Sequence, residues 1–236
     1  MFRLNPALDR AALAEVFAEK RRLRIPDFLV EEDAARLHEE MRRREDWLQI
    51  VNSGGKVFDL DRPTRAGMSL EQAEALDQAV YSGAREGFQH RYEAIRIPDG
   101  ESERQASDDL LARFALWLSG GEARDFLRAV IGRPELDFAD AQATAYAPGD
   151  FLTGHDDEVE GKNRLAAYVY GLTPKWRAEW GGLLLFHGAD GDIEQGLLPR
   201  FNTLNLFAVP QLHSVSLVSR AAPFRRYSIT GWLRKR

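Results

Sequence analysis

The hydrophobic period of the chain changes at Gly132-Arg133-Pro134. Before this point apolar residues recur every three or four positions, the period of a helix face. From Asp137 onward they alternate, and turn residues punctuate the chain every ~8–12 positions, the pattern of short half-buried strands. In the first part Leu70, Ala73, Leu76, Val80, Ala84, Phe88 and Tyr92 form one stripe, and Ser69 with Gln72 forms a capping box at its start. Residues 31–44 predict a second helix with Ala34, Leu37 and Met41 inward. Shorter helices are expected at 108–118 and 123–131, separated by Gly120-Gly121, and a short strand at 25–30. In the second part 139–147, 164–172, 182–187, 203–209, 213–219 and 226–233 read as strands.

Many short strands without interleaved helices specify a sandwich or a jelly roll. The expected fold is mainly β with flanking α. Residues 1–134 form a helical N-terminal portion packed outside a jelly-roll core of residues 135–236, and residues 1–236 make one structural domain. The length of 236 residues suffices for one large core.

A net charge of −5 argues against nucleic-acid binding through bulk electrostatics, and the basic runs at 20–24 and 42–44 read as solvated helix faces. The absence of cysteine excludes disulfides, thiolate catalysis and thiolate-bound zinc. No apolar run approaches the ~20 residues of a membrane span, and the N-terminus lacks a signal-peptide stretch. A cytoplasmic protein with neither membrane nor nucleic-acid partners is expected, its oligomeric state open.

Of the five histidines, His155 stands two residues from a carboxylate, Asp157. On extended backbone i and i+2 point to the same side, so both can bind one ion while Asp156 points away. His213 shares a strand face with Val215 and Leu217. It projects inward, where an imidazole needs a partner, and a metal is a suitable one. Two histidines and one carboxylate make a facial triad for Fe(II) with three open positions. Near the C-terminus Arg226, Ser228, Thr230 and Trp232 share one face. A buried Arg226 needs an anion such as a carboxylate, which Ser228 can also bond.

The ordered set resembles the 2-oxoglutarate- and Fe(II)-dependent dioxygenases, in particular their prolyl 4-hydroxylase-like branch and the ribosomal-protein prolyl hydroxylase group within it. The residues that carry the likeness are Tyr146-Ala147-Pro148-Gly149-Asp150, His155-Asp156-Asp157, Trp176, Trp180-Gly181-Gly182-Leu183, Pro199, Phe207, His213 and Arg226-Tyr227-Ser228-Ile229-Thr230-Gly231-Trp232, with Phe28-Leu29 as an entry strand. The resemblance implies Fe(II) on His155, Asp157 and His213, and 2-oxoglutarate on Arg226, Ser228 and Tyr146. It also implies O2 as oxidant, ascorbate as accessory reductant, and hydroxylation of a prolyl residue of a protein or peptide with release of succinate and CO2. A carboxylate at Asp157 favours hydroxylation over the chemistry of related halogenases, which leave that position open.

Many relatives carry a tyrosine where this chain has Gly171; Tyr168 is a candidate replacement. Arg164, Tyr168 and His187 are candidate substrate-side residues. Arg164 alternatively makes a salt bridge to the acidic loop of Asp156, Glu158 and Glu160, and His187 alternatively has a structural role. That loop is a solvated turn or an attractor of basic peptides. The 173–179 segment between Trp176 and Trp180 is a lid or a packed edge. His38 and His90 read as solvated helix residues. Two other substrate readings stay open, a free amino acid or small metabolite. So do two other classes, a non-catalytic jelly-roll sensor of metal or organic acid, and a cupin-like enzyme.

Overall fold

The computed structural model of the protein describes residues 1–53 and 56–236. Its helices are α1 (Arg10–Lys20), α2 (Glu31–Arg43), α3 (Arg62–Ala66), α4 (Leu70–Glu86), α5 (Glu101–Ala106), α6 (Leu110–Leu118) and α7 (Gly121–Ile131). Its strands are β1 (Arg22–Ile25), β2 (Leu48–Ser53), β3 (Lys56–Asp61), β4 (His90–Arg96), β5 (Phe138–Ala139), β6 (Gln142–Tyr146) and β7 (Phe151–His155), then β8 (Arg164–Gly171), β9 (Leu184–His187), β10 (Ile193–Leu197), β11 (Thr203–Ala208), β12 (His213–Val215) and β13 (Arg226–Arg234).

All strands join one antiparallel sheet in the order β1-β11-β8-β13-β6-β4-β7-β12-β9-β10, with β2 and β3 extending from β4 and β5 beside β13. The sheet curls into the expected jelly roll. β4 is its corner, pairing with β6 through Glu93–Arg96 and with β7 through His90 and Arg91. Alternation along β13 assigns the two faces of one wall. Tyr227, Ile229 and Leu233 face a helical layer, packing with Leu37 and Met41 of α2, Leu111, Phe114 and Leu118 of α6, and Leu127 and Val130 of α7. Phe28 and Phe114 both lie 5.6 Å from the ring of Tyr170 on β8 and lock the layers together. Arg226, Thr230 and Trp232 instead line a cavity inside the curl. Among the described residues no helix is long and apolar enough to cross a membrane.

Several expectations need correction. Residues 1–134 are not only helical: β1 to β4 lie there and are integral to the sheet. The apolar stripe overran its helix, because α4 ends at Glu86 ahead of Gly87, and Tyr92 belongs to β4. The early strand is Arg22–Ile25, not 25–30; Asp27 has a φ of 50° and turns the chain. The 20–24 run is therefore not a helix face but the end of α1 and an edge strand. Basic residues suit such an edge because they discourage pairing with another chain. Strands β7 and β10 were not anticipated, and the 213–219 strand shortens to His213–Val215.

His38 is not solvated but packs between Phe201 and Tyr227. Trp176 and Trp180 pack edge to face at 5.5 Å, and Trp176 donates to the Gly181 carbonyl, so they form a packed edge.

Candidate functional site

His155 closes β7 and His213 opens β12, and the two are direct partners across these paired strands. Their ring centroids are 4.1 Å apart. Nδ1 of His155 lies 3.0 Å from the Thr153 carbonyl and Nδ1 of His213 lies 2.7 Å from the Gln211 carbonyl. A carbonyl only accepts, so each Nδ1 carries the proton and each Nε2 presents its lone pair inward. Both Nε2 atoms lie 3.5 Å from a carboxylate oxygen of Asp157.

Asp157 arrives there by a different route from the one expected. It lies beyond the end of β7 with a φ of 66°, in the left-handed region that aspartate tolerates better than most residues. The turn, not strand alternation, brings the carboxylate back to the histidines. Arg164 secures the turn: its guanidinium donates to the Asp157 backbone carbonyl at 2.7 Å and stacks 3.5 Å from the Trp232 ring centroid. Arg164 therefore bonds the backbone of Asp157, not a carboxylate of the acidic loop. Arg164→Lys is expected to lower metal affinity about 10- to 100-fold, the usual effect of loosening a ligand's support, as read by titration with Fe(II).

Ligands ~2.1 Å from an ion at right angles stand about 3 Å apart. The three donor atoms here lie within 4.8 Å of one another, close enough to meet on one ion after small side-chain shifts. Burial lowers the His213 pKa to about 4, as does His155 beside it, so the imidazole is neutral and ligating near pH 7.

A cavity of about 370 Å³ runs from this triad to Arg226. Arg226 is 3 % exposed, and its Nε has no hydrogen-bond partner among the described residues. Burial pushes its pKa below the usual arginine range. Gly182, with a φ of 63°, leaves it room: a Cβ there would lie 3.3 Å from the Arg226 Cδ. Tyr146, opposite Arg226 in register, stacks with Tyr92 at 5.0 Å and lies beneath the guanidinium at 4.9 Å. Ser228 is buried with its hydroxyl 2.8 Å from that of Thr144, and Thr144 lines the cavity.

Two candidates have their polar atoms engaged by the protein itself. Tyr168 borders the cavity, but its hydroxyl donates to the Asp140 carbonyl at 2.7 Å. His187 Nε2 pairs with the Ser214 hydroxyl at 2.7 Å, and His187 is not among the cavity residues. At Gly171 a Cβ would come within 2.3 Å of the Arg200 carbonyl oxygen, so the passing backbone closes the position where relatives carry tyrosine. Gly171→Ala is expected to destabilise the fold by about 1–3 kcal/mol, read as a lower urea midpoint at unchanged slope.

Sequence reasoning missed His90, which is a buried cavity residue on β4. Burial lowers its pKa to about 4, so the ring is neutral. Gly87, four residues after Gly83, was the available signal that the helix had ended before it.

Residues 141–234 match the family model of the 2OG-Fe(II) oxygenase superfamily. The chain is 37% identical over 100 residues to Prolyl 3-hydroxylase OGFOD1 of Xenopus laevis, which covers 39% of this chain and 19% of that protein. It spans about a fifth of the length of the curated relatives it matches. Among solved structures it resembles a prolyl-4-hydroxylase of Pseudomonas putida, with a TM-score of 0.63 and 20% identity over 97% of this chain and 100% of that one. It also resembles a prolyl hydroxylase of Trichoplax adhaerens solved with a hypoxia inducible factor peptide, with a TM-score of 0.59 and 14% identity over 95% and 89% of the two chains. At these identities the structural likeness is one of fold, and it takes in the N-terminal half.

Proposed function

We propose that this chain, which shares residues 141–234 with the 2OG-Fe(II) oxygenases, is a 2-oxoglutarate- and Fe(II)-dependent dioxygenase. Its proposed reaction is hydroxylation of a prolyl residue of a protein or peptide, with release of succinate and CO2. The observation that carries the reading is a buried guanidinium, Arg226, whose Nε has no hydrogen-bond partner among the described residues, in the same cavity as three convergent metal-ligand side chains. A cation held there without a counter-ion is unfavourable unless an anion completes it. A dicarboxylic acid meets that need and reaches the triad as well.

In this reading His155, Asp157 and His213 hold the iron. Fe(II), when bound there, would activate O2, the oxidant, whose two atoms end in succinate and in the substrate hydroxyl as 2-oxoglutarate loses CO2. Arg226 grips the distal carboxylate, and Thr144, bonded to Ser228, offers a hydroxyl beside it. Tyr146 and Tyr92 form the floor and exclude water from the anion. Arg164 and Trp232 brace the metal turn on the opposite side. The exposed Asp156 and Glu158 at the mouth favour substrates with basic flanking residues, through long-range attraction that weakens with salt.

The test is incubation with Fe(II), 2-oxoglutarate, O2 and proline-centred peptides, followed by mass spectrometry for a gain of one oxygen and by succinate assay. Oxygen gained only by free amino acids or small metabolites would replace the prolyl substrate. Iron binding without any succinate would leave a sensor or a cupin-like protein.

A further inference from the structure

Four rings run in sequence from the mouth of the cavity to the arginine anchor. Phe88 is half exposed at the rim and lies 5.6 Å from both His90 and the ligand His155. His90 lies 5.5 Å from Tyr92, and Tyr92 lies 5.0 Å from Tyr146. The ladder follows from β4 and its lead-in. The Gln89 carbonyl accepts from the Thr153 backbone N–H and the Gln89 N–H donates to the Thr153 hydroxyl, so the chain already runs alongside β7 there, and Phe88, His90 and Tyr92 alternate onto the inner face. All three precede residue 141, outside the segment matched by the family model.

The inner end of this ladder belongs to the anchor, through Tyr146 beneath Arg226. The outer end does not reach the anchor, and Phe88 there packs beside the ring of His155. Phe88 and His90 offer one apolar ring and one neutral ring able to donate and to accept a hydrogen bond. A free amino acid, with an ammonium and a carboxylate on its α-carbon, would find no ionic partner in Phe88 or His90. A prolyl residue within a chain suits it better: the saturated ring packs on aromatic faces, and the flanking amides need a neutral polar partner.

We infer that Phe88 and His90 are specificity-determining residues that seat the substrate chain, Phe88 packing against the ring of the reacting residue or its neighbour and His90 hydrogen-bonding the peptide backbone. This rests on the prolyl hydroxylase reading. It adds that selectivity for a peptide over a free amino acid resides in the N-terminal half of the molecule.

The experiment is steady-state kinetics on the iron-loaded full chain with an arrayed set of proline-centred peptides, comparing wild type with His90→Phe, His90→Gln and Phe88→Ala. His90→Phe retains the ring and removes the hydrogen bond. It should raise the peptide KM about 3- to 10-fold, the worth of one net hydrogen bond, with a smaller change in kcat. The 2-oxoglutarate dissociation constant, from anaerobic titration, should move less than about twofold. His90→Gln should recover part of the peptide KM. Phe88→Ala, at a half-exposed site with little bearing on folding, should raise the peptide KM about 2- to 10-fold. An unchanged peptide KM in both His90→Phe and Phe88→Ala overturns the inference and leaves the prolyl reading intact. So does a 2-oxoglutarate constant that rises in step, because the wall then serves the cosubstrate. Wild-type turnover of free amino acids but of no peptide overturns both.

Discussion

Asp157→Asn is expected to abolish iron binding and turnover while leaving the fold intact. Asparagine is the right substitution because of the backbone. Asp157 sits at a φ of 66°, where asparagine is nearly as well tolerated as aspartate, whereas alanine would add ~1–2 kcal/mol of left-handed strain. The Arg164 guanidinium binds the backbone carbonyl of residue 157, so that contact also survives. What is lost is a carboxylate oxygen facing each of the two imidazoles, whose Nε2 atoms lie 3.5 Å away. Weakening a ligand's support costs about 10- to 100-fold in affinity, and removing the ligand should exceed that. The metal-free melting temperature should stay within about 2–4 °C, the equivalent of ~1 kcal/mol in a chain of this size. It must be measured without iron, because bound metal would stabilise the wild type alone. Wild-type iron affinity in Asp157→Asn would remove Asp157 from the ligand set.

The same residue shows what a sequence can and cannot convey. The spacing of His155 and Asp157 is visible, and so is the pairing of their chemistry with His213. Strand alternation predicts the right neighbours through the wrong geometry, because β7 stops at His155 and a turn does the rest. The signal for that turn was present in the residue type, since aspartate is enriched at positive φ. The direct pairing of His155 with His213 is a matter of register between strands 58 positions apart, which no local pattern encodes.

The first half is legible where one face is buried and repeats: α2 buries Ala34, Leu37 and Met41 as expected, whereas α4 forms in place but buries Val80 and leaves Leu70, at the start of the stripe, exposed. It fails at His90 and Tyr92. There the helical stripe stays in phase by coincidence past Gly87, and the partners that make this segment a strand, Gln142–Ala145 and Phe151–Leu152, lie far along the chain. β10 was missed for a different reason: its residues are exposed at an edge, so no hydrophobic alternation is required of them. The isolation of Arg226 is the least local property of all, because it depends on which carboxylates every surrounding strand withholds.

That isolation sets up two effects of opposite sign at one position. Arg226→Met is expected to stabilise the protein without cosubstrate while weakening its hold on 2-oxoglutarate. Methionine fills much of the same volume and adapts to irregular space, so little cavity is created. It removes a buried guanidinium whose Nε has no partner among the described residues and whose pKa burial already lowers. Replacing buried charge by an apolar side chain of similar size is often worth about 1–4 kcal/mol, a rise of at least ~2 °C in melting temperature. The cosubstrate carboxylate would then lose its charged partner inside a low-dielectric cavity. Truncating one side of such a pair costs about 2–5 kcal/mol, which is about 30- to 4,000-fold in dissociation constant at 1.4 kcal/mol per tenfold. Arg226→Lys should fall between the two, keeping the charge but not the planar fork. Anaerobic titration of 2-oxoglutarate into the Fe(II)-loaded variants, followed by visible charge-transfer absorption, reads the affinity, and a thermal melt without cosubstrate reads the stability. A purely structural arginine would give the reverse pattern for Arg226→Met, a destabilised protein with unaltered cosubstrate affinity.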